Sequence, residues 1–209
     1  MEILQEKKRL DFGLTFRQAM EMGVKNAPSL LGCALLYLLT IWIPYINIGT
    51  TIAMANLPLE MSKGNVVNPT FIFQAKWRRY MGDFLLTEAL MMLGIYGAML
   101  FMVIPAFVLG LSWSLAILLL FDKKFTPLQA LAASNKVTYG SKWTIFFVNL
   151  VFVICAYVLL AIIVIPAAKA SVFLAVLLVL LLGILFSTVG VAIKASIYGQ
   201  LKDNLNCEE

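Results

Sequence analysis

Four side chains are at odds with their surroundings and are the first candidates for chemistry. Glu88 sits in Phe84-Leu85-Leu86-Thr87-Glu88-Ala89-Leu90, and Asn149 stands in another apolar run 61 residues later. Lys194 is the only basic residue close to the interior of the last apolar run, and Trp113 lies between Ser112 and Ser114 midway along another. An ionisable group inside a membrane span is costly and by default a functional candidate. Converging on one cavity, Glu88, Asn149, Lys194 and Trp113 would suit binding or passage of a polar solute. The plainer account is structural: Glu88 bonds between helices or snorkels, Lys194 pairs with Glu88 or Glu60, and Trp113 packs in a bundle. The sequence favours this account.

No catalytic set accompanies them. The chain has no histidine, so the commonest acid–base residue and metal ligand are absent. Cys33, Cys155 and Cys207 form no close pair, and no phosphate loop or paired acids in a polar setting are present. The expectation is a non-enzymatic protein with no cofactor and no metal.

The elements that would position these residues follow from composition. Of 209 residues 62% are hydrophobic and 13% charged, against about 25% charged in soluble domains. One soluble core could not bury so much apolar surface. An all-α integral membrane protein is expected, a single membrane domain over 1–209. Met1-Glu2-Ile3-Leu4 and the charges after it do not read as a signal peptide, since the first long apolar run begins at Ala27.

Residues 26–59, 89–121, 143–168 and 170–193 carry no charge. A span takes about 20 residues, so 26–59 reads as two short helices, roughly 27–43 and 45–61, divided at Pro44. The run 89–121 divides at Pro105, and the last part at Pro166 and Lys169. Ile43-Pro44, Ile104-Pro105 and Ile165-Pro166 recur at intervals of 61 residues. Thr15-x-x-Gln18-Ala19 matches Thr126-x-x-Gln129-Ala130, and Asn68-Pro69-Thr70 is the middle copy. A fixed period implies one supersecondary unit used repeatedly. The expected unit is a short cytoplasmic interfacial helix and a hairpin of two spans, over about 15–61, 68–121 and 126–201. Together they make six transmembrane helices as three repeated hairpins.

Charge supports the hairpins. With each proline at an outer corner, fifteen of the sixteen basic residues fall on one side and only Lys169 on the other. Lys and Arg collect on the cytoplasmic face, which places both termini in the cytoplasm. The interfacial helices start at Thr15, Asn68 and Thr126, with Pro69 and Pro127 at the first helical position. Lys76, Trp77, Arg78, Arg79, Lys142 and Trp143 mix rings and cations as the headgroup layer favours, and are candidate lipid contacts. Anchoring without lipid selectivity is the simpler account. Small-residue faces, Gly94-x-x-x-Ala98 and Gly183-x-x-x-Ser187, suit close helix packing within the bundle or a homo-oligomer. The basic loops are explained by membrane orientation, so no nucleic-acid partner is expected.

Ile104, Pro105, Asp122, Ala130, Ser134, Gly140 and Trp143 carry a resemblance. Their order is similar to that in the YciC-like group of bacterial six-span membrane proteins, related to the membrane domain ahead of some glycerophosphodiester phosphodiesterases. That family's glycine after the proline is Ala106 here, and its basic residue after the serine is Asn135. The resemblance covers about forty residues and implies a bacterial inner-membrane protein without established activity, near lipid metabolism. The function expected is a structural, regulatory or lipid-associated membrane partner. The alternative is a small transporter or substrate-binding component with the four-residue cavity above.

Overall fold

A computed structural model describes residues 8–208, except the side chains of 170 and 206–208. Lys7 and Cys207, used in the sequence reading, thus lie outside the described residues or side chains. The elements are α1 (Phe12–Thr40), α2 (Pro44–Ala55), α3 (Leu57–Ser62), a 3-10 turn (Pro69–Phe73), α4 (Lys76–Arg79), α5 (Met81–Phe101), α6 (Val103–Ser112), α7 (Ala116–Lys123), α8 (Pro127–Thr138), α9 (Lys142–Ala170), α10 (Val172–Leu201) and a 3-10 tail (Lys202–Glu208). The described residues form helices and connecting turns, with no strand. Among them five helical stretches are long and apolar enough to cross a membrane: Phe12–Thr40, Met81–Phe101, Val103–Lys123, Lys142–Lys169 and Val172–Leu205.

Several boundaries differ from the sequence expectation. Thr15 does not start a separate interfacial helix. Asp11 caps α1, its carboxylate accepting from Leu14 N at 2.7 Å, and the helix continues unbroken into the first apolar run. Nothing between Thr15 and Ala27 stops a helix, and Pro28 is carried inside α1. The middle interfacial helix is instead a 3-10 turn capped by Asn68, followed by the single turn α4. The third, α8, begins as expected: Pro127 takes the first position and Thr126 N donates to Gln129 Oε1 at 3.1 Å. It does not lie free in an interface, however, because Pro127, Ala130, Leu131, Ala133, Ser134, Val137 and Thr138 are buried.

The corners also move. Pro44 opens α2, as expected. The turn between α5 and α6 is made by Met102, in extended conformation, with Pro105 inside the first turn of α6. Pro166 lies within α9, and the chain turns at Ser171. A proline lacks a donor, but in a first turn no intrahelical acceptor is lost. The equal spacing of the Ile-Pro pairs is therefore not an equal spacing of turns.

Two limbs are interrupted. Asn56 separates α2 from α3. Its Nδ2 donates to Ile52 O at 2.8 Å, while its buried Oδ1 has no protein partner. Residues 63–80 then fold back along the first two helices. Val67 N donates to Asn26 Oδ1 at 3.0 Å, the Pro69 ring covers Gly32, and the Arg78 stem covers Gly49. This irregular backbone lies against protein, which is where a membrane protein tolerates it.

The second interruption, at Trp113–Leu115, divides the expected fourth span. Ser134 of α8 closes it: its hydroxyl donates to Ser112 O at 2.7 Å and accepts from Leu115 N at 3.2 Å. One buried side chain satisfies both loose backbone groups. Beyond the break α7 is the centre of the core, with Ala116, Ile117, Leu118, Leu119 and Leu120 all buried. Ser134→Ala strands the Leu115 N–H and leaves Ser112 O only the longer bond from Thr138 Oγ1 at 3.3 Å, so a loss of about 1–3 kcal/mol is expected. A clearly lower unfolding midpoint in detergent checks this, and an unchanged midpoint contradicts it.

Candidate functional site

Three groups of side chains can be built from these elements. The first joins the ends of the chain. α1 and α10 run antiparallel in close contact, Gly23 facing Ala192. Gln200 Nε2 donates to Thr15 Oγ1 at 3.0 Å, Ser196 Oγ donates to Gln18 Oε1 at 2.9 Å, and Gln200 Oε1 accepts from Asp11 N at 3.2 Å. Below them Lys8 and Asn204 exchange two bonds, N–H to Oδ1 and Nδ2–H to C=O, both 2.9 Å. Ser141, at the start of α9, accepts from Leu10 N at 3.1 Å. A polar cleft of about 300 Å³ opens beside this seam, between Gln18, Glu21, Ser62 and Ser196.

The second group is ionic. Asp122, at the end of α7, accepts from the Tyr198 hydroxyl at 2.6 Å and meets Lys63 Nζ at 3.2 Å. Lys63 also reaches Glu60 at 3.8 Å, so Glu60 is engaged locally and does not pair with Lys194. This cluster ties α3, α7 and α10 together. From the sequence Asp122 stands out only among the residues that carry the family resemblance, and Tyr198 does not stand out at all. The available signal was a tyrosine one turn beyond Lys194 in an otherwise apolar helix.

The four intramembrane candidates are not assembled into one cavity. Lys194 is half-buried on α10, and no ion pair joins it to Glu88 among the described residues. Asn149 is exposed on α9 and spends its amide on Ile145 O, 2.7 Å away in its own helix. Trp113 packs on α5 at Gly94, where an added Cβ would come within 2.5 Å of the indole. Gly94 is thus a seat for the ring, a specific use of one small-residue face. Gly183 of the other face has open space where a side chain would go.

The lipid-contact candidates divide. Trp77 is only 4% exposed. It donates to Phe71 O at 2.8 Å and packs edge-on against Phe71 and Phe121, at 4.8 and 5.8 Å between centroids. It belongs to the core, because residues from two other segments cover a ring that sequence reads as interfacial. Lys76 lies over the Trp77 ring at 4.4 Å, and exposed Arg79 stays available to solvent or headgroups. Arg78 lies 5.9 Å from the Tyr45 ring. The hairpin reading set those two residues on opposite membrane faces; the fold-back of residues 63–80 brings them together.

The third group is a groove of about 460 Å³ between α6 and the α8–α9 turn, lined by Ile104, Phe107, Val108, Leu111, Tyr139, Gly140, Lys142 and Trp143. Gly140, with φ of 81°, makes the left-handed turn that brings α9 back beside α6. Lys142 and Trp143 thus line one groove with Ile104, a residue the hairpin expectation sets at an outer corner. The reason is length: ten-residue α6 is roughly 15 Å long, about half a hydrocarbon core.

No protein-family model matches the chain. Neither a curated protein nor a solved structure shows significant similarity to it. What the residues can do therefore rests on geometry, and the ionic cluster is read as a structural clamp. Tyr198→Phe removes a fully buried hydroxyl and should cost about 1–3 kcal/mol. Lys63→Met removes a partly exposed cation and should cost no more than about 1 kcal/mol. Denaturant titration of both variants tests the ranking, and the reverse order contradicts it.

Proposed function

We propose that the protein is a non-enzymatic, multi-pass component of the bacterial cytoplasmic membrane, with both termini cytoplasmic and a structural or regulatory role as a lipid-associated partner. The observation that carries the topology is the Lys8–Asn204 pair. Chain ends that bond each other lie on one side of a bilayer, and an even number of crossings follows. Among the described residues five stretches are long and apolar enough, and we take the α2–α3 limb as the sixth. Residues 44–62 supply roughly 28 Å of helix, close to the thickness of about 30 Å to be crossed. The crossing elements pair as three hairpins, α1 with α2–α3, α5 with α6–α7, and α9 with α10.

The non-enzymatic reading is supported by where the polar groups go. Those of the α1–α10 seam, the helix break and the ionic cluster bond one another. A place in the YciC-like family is part of the proposal. Of the residues behind that resemblance, Asp122 anchors the clamp, Ser134 closes the break and Gly140 makes the turn into α9. The transporter reading rests on Glu88 and Lys194, two opposite charges carried by the long apolar helices α5 and α10. It predicts that Glu88→Gln abolishes uptake of a solute, whereas the structural reading predicts a change in stability alone.

Single cysteines test the topology after Cys33, Cys155 and Cys207 are replaced by serine. A membrane-impermeant maleimide should label positions 45 and 169 on intact cells, and position 124 only after permeabilisation. Labelling of 124 on intact cells overturns the orientation. Labelling at 169 with protection at 45 reduces the number of crossings.

A further inference from the structure

The groove beside α6 has a character that membrane residence alone does not require. Phe107, Val108 and Leu111 make an apolar floor, and Trp143 makes a wall. The wall is fixed. Trp143 stacks on Phe147 at 6.2 Å and meets Phe146 edge-on, and Phe146 in turn meets Phe107 at 5.1 Å. Trp143 is nevertheless 72% exposed, so this rigid aromatic surface faces the surroundings of the protein. The volume of about 460 Å³ falls within the usual range of about 300–1,000 Å³ for small-molecule sites. A protein helix, about 10 Å across with its side chains, needs a broader face.

One cation stands at the rim. Lys142 Nζ is held by Asn135 Oδ1 at 2.9 Å. That partner is a neutral amide, so it orients the ammonium without cancelling its charge. A fixed positive charge beside an apolar trough complements a molecule with an anionic head and an apolar tail.

We propose that this groove is a selective site for one anionic phospholipid, with an acyl chain on Phe107, Val108 and Leu111 and the phosphate against the Lys142 ammonium. The proposal deepens the lipid-associated reading above and rests on its membrane residence. It distinguishes a bound lipid from the shell of lipid that surrounds any membrane protein.

The test uses the full chain in phosphatidylcholine vesicles containing a minority of lipid brominated on its acyl chains. Bromine quenches a tryptophan that it touches, and Trp143 is read as the difference between the chain and Trp143→Phe. Brominated phosphatidylglycerol should quench Trp143 with about five-fold greater apparent affinity than brominated phosphatidylcholine, the scale set by one lysine at an anionic headgroup. Lys142→Gln should remove that preference, while Lys25→Gln, on exposed α1 surface, should leave it. Val108→Phe, which fills the floor, should weaken quenching by both lipids. Equal quenching of the unaltered chain by the two lipids overturns the proposal, as does a preference that survives Lys142→Gln. If the maleimide pattern holds and the lipid preference is absent, the groove assignment alone fails.

Discussion

The structure depends on the closure of α1 against α10. These helices come from opposite ends of the chain, so their contact joins the first and the last long apolar helices. Small residues bring the backbones together at Gly23 and Ala192, and the amides of Gln18 and Gln200 with the hydroxyls of Thr15 and Ser196 complete the contact. In an apolar solvent, helix association gains little from burying more apolar surface. Close packing and hydrogen bonds between helices must supply the specificity. The Lys8–Asn204 exchange extends the same closure beyond the helix ends.

The same constraint explains how broken helices survive here. At Trp113–Leu115 the backbone leaves helical geometry, and Ser134 supplies both a donor and an acceptor. The fold-back segment 63–80 lies against α1 and α2, with Asn26 taking the Val67 N–H. Irregular backbone is therefore placed where side chains from another element can satisfy it. The outer faces of α9 and α10 follow the opposite rule, presenting apolar side chains such as Leu159, Phe173 and Leu180 outward. Long unbroken helices need no help with their own backbone bonds.

Helix type and the broad positions of the apolar segments were legible in the sequence, because composition and charge-free length speak directly to them. The corners were not. A proline reads equally as the first residue of a helix, as at Pro44, as a later residue of a first turn, as at Pro105, or as a tolerated interior residue, as at Pro166. Of the residues that do turn the chain, Met102 gives no such signal, and Ser171 is the N-cap of α10 without a side-chain cap bond. Trp77 shows a second limit. Its neighbours Lys76, Arg78 and Arg79 mark an interface, and only packing from Phe71 and Phe121 makes it core. Of the candidate site residues, Lys142 and Trp143 meet in one groove. The intramembrane four do not converge, since helical position alone does not say which face a neighbouring helix covers.

The central claim is that the two ends of the chain are bound together on one side of the bilayer. Spin labels at Gly13 and Lys202, with the chain reconstituted in vesicles, measure it most directly by pulsed dipolar spectroscopy. The account predicts one narrow distance distribution, well below the membrane thickness of about 30 Å. A distribution centred at or beyond that thickness would contradict it.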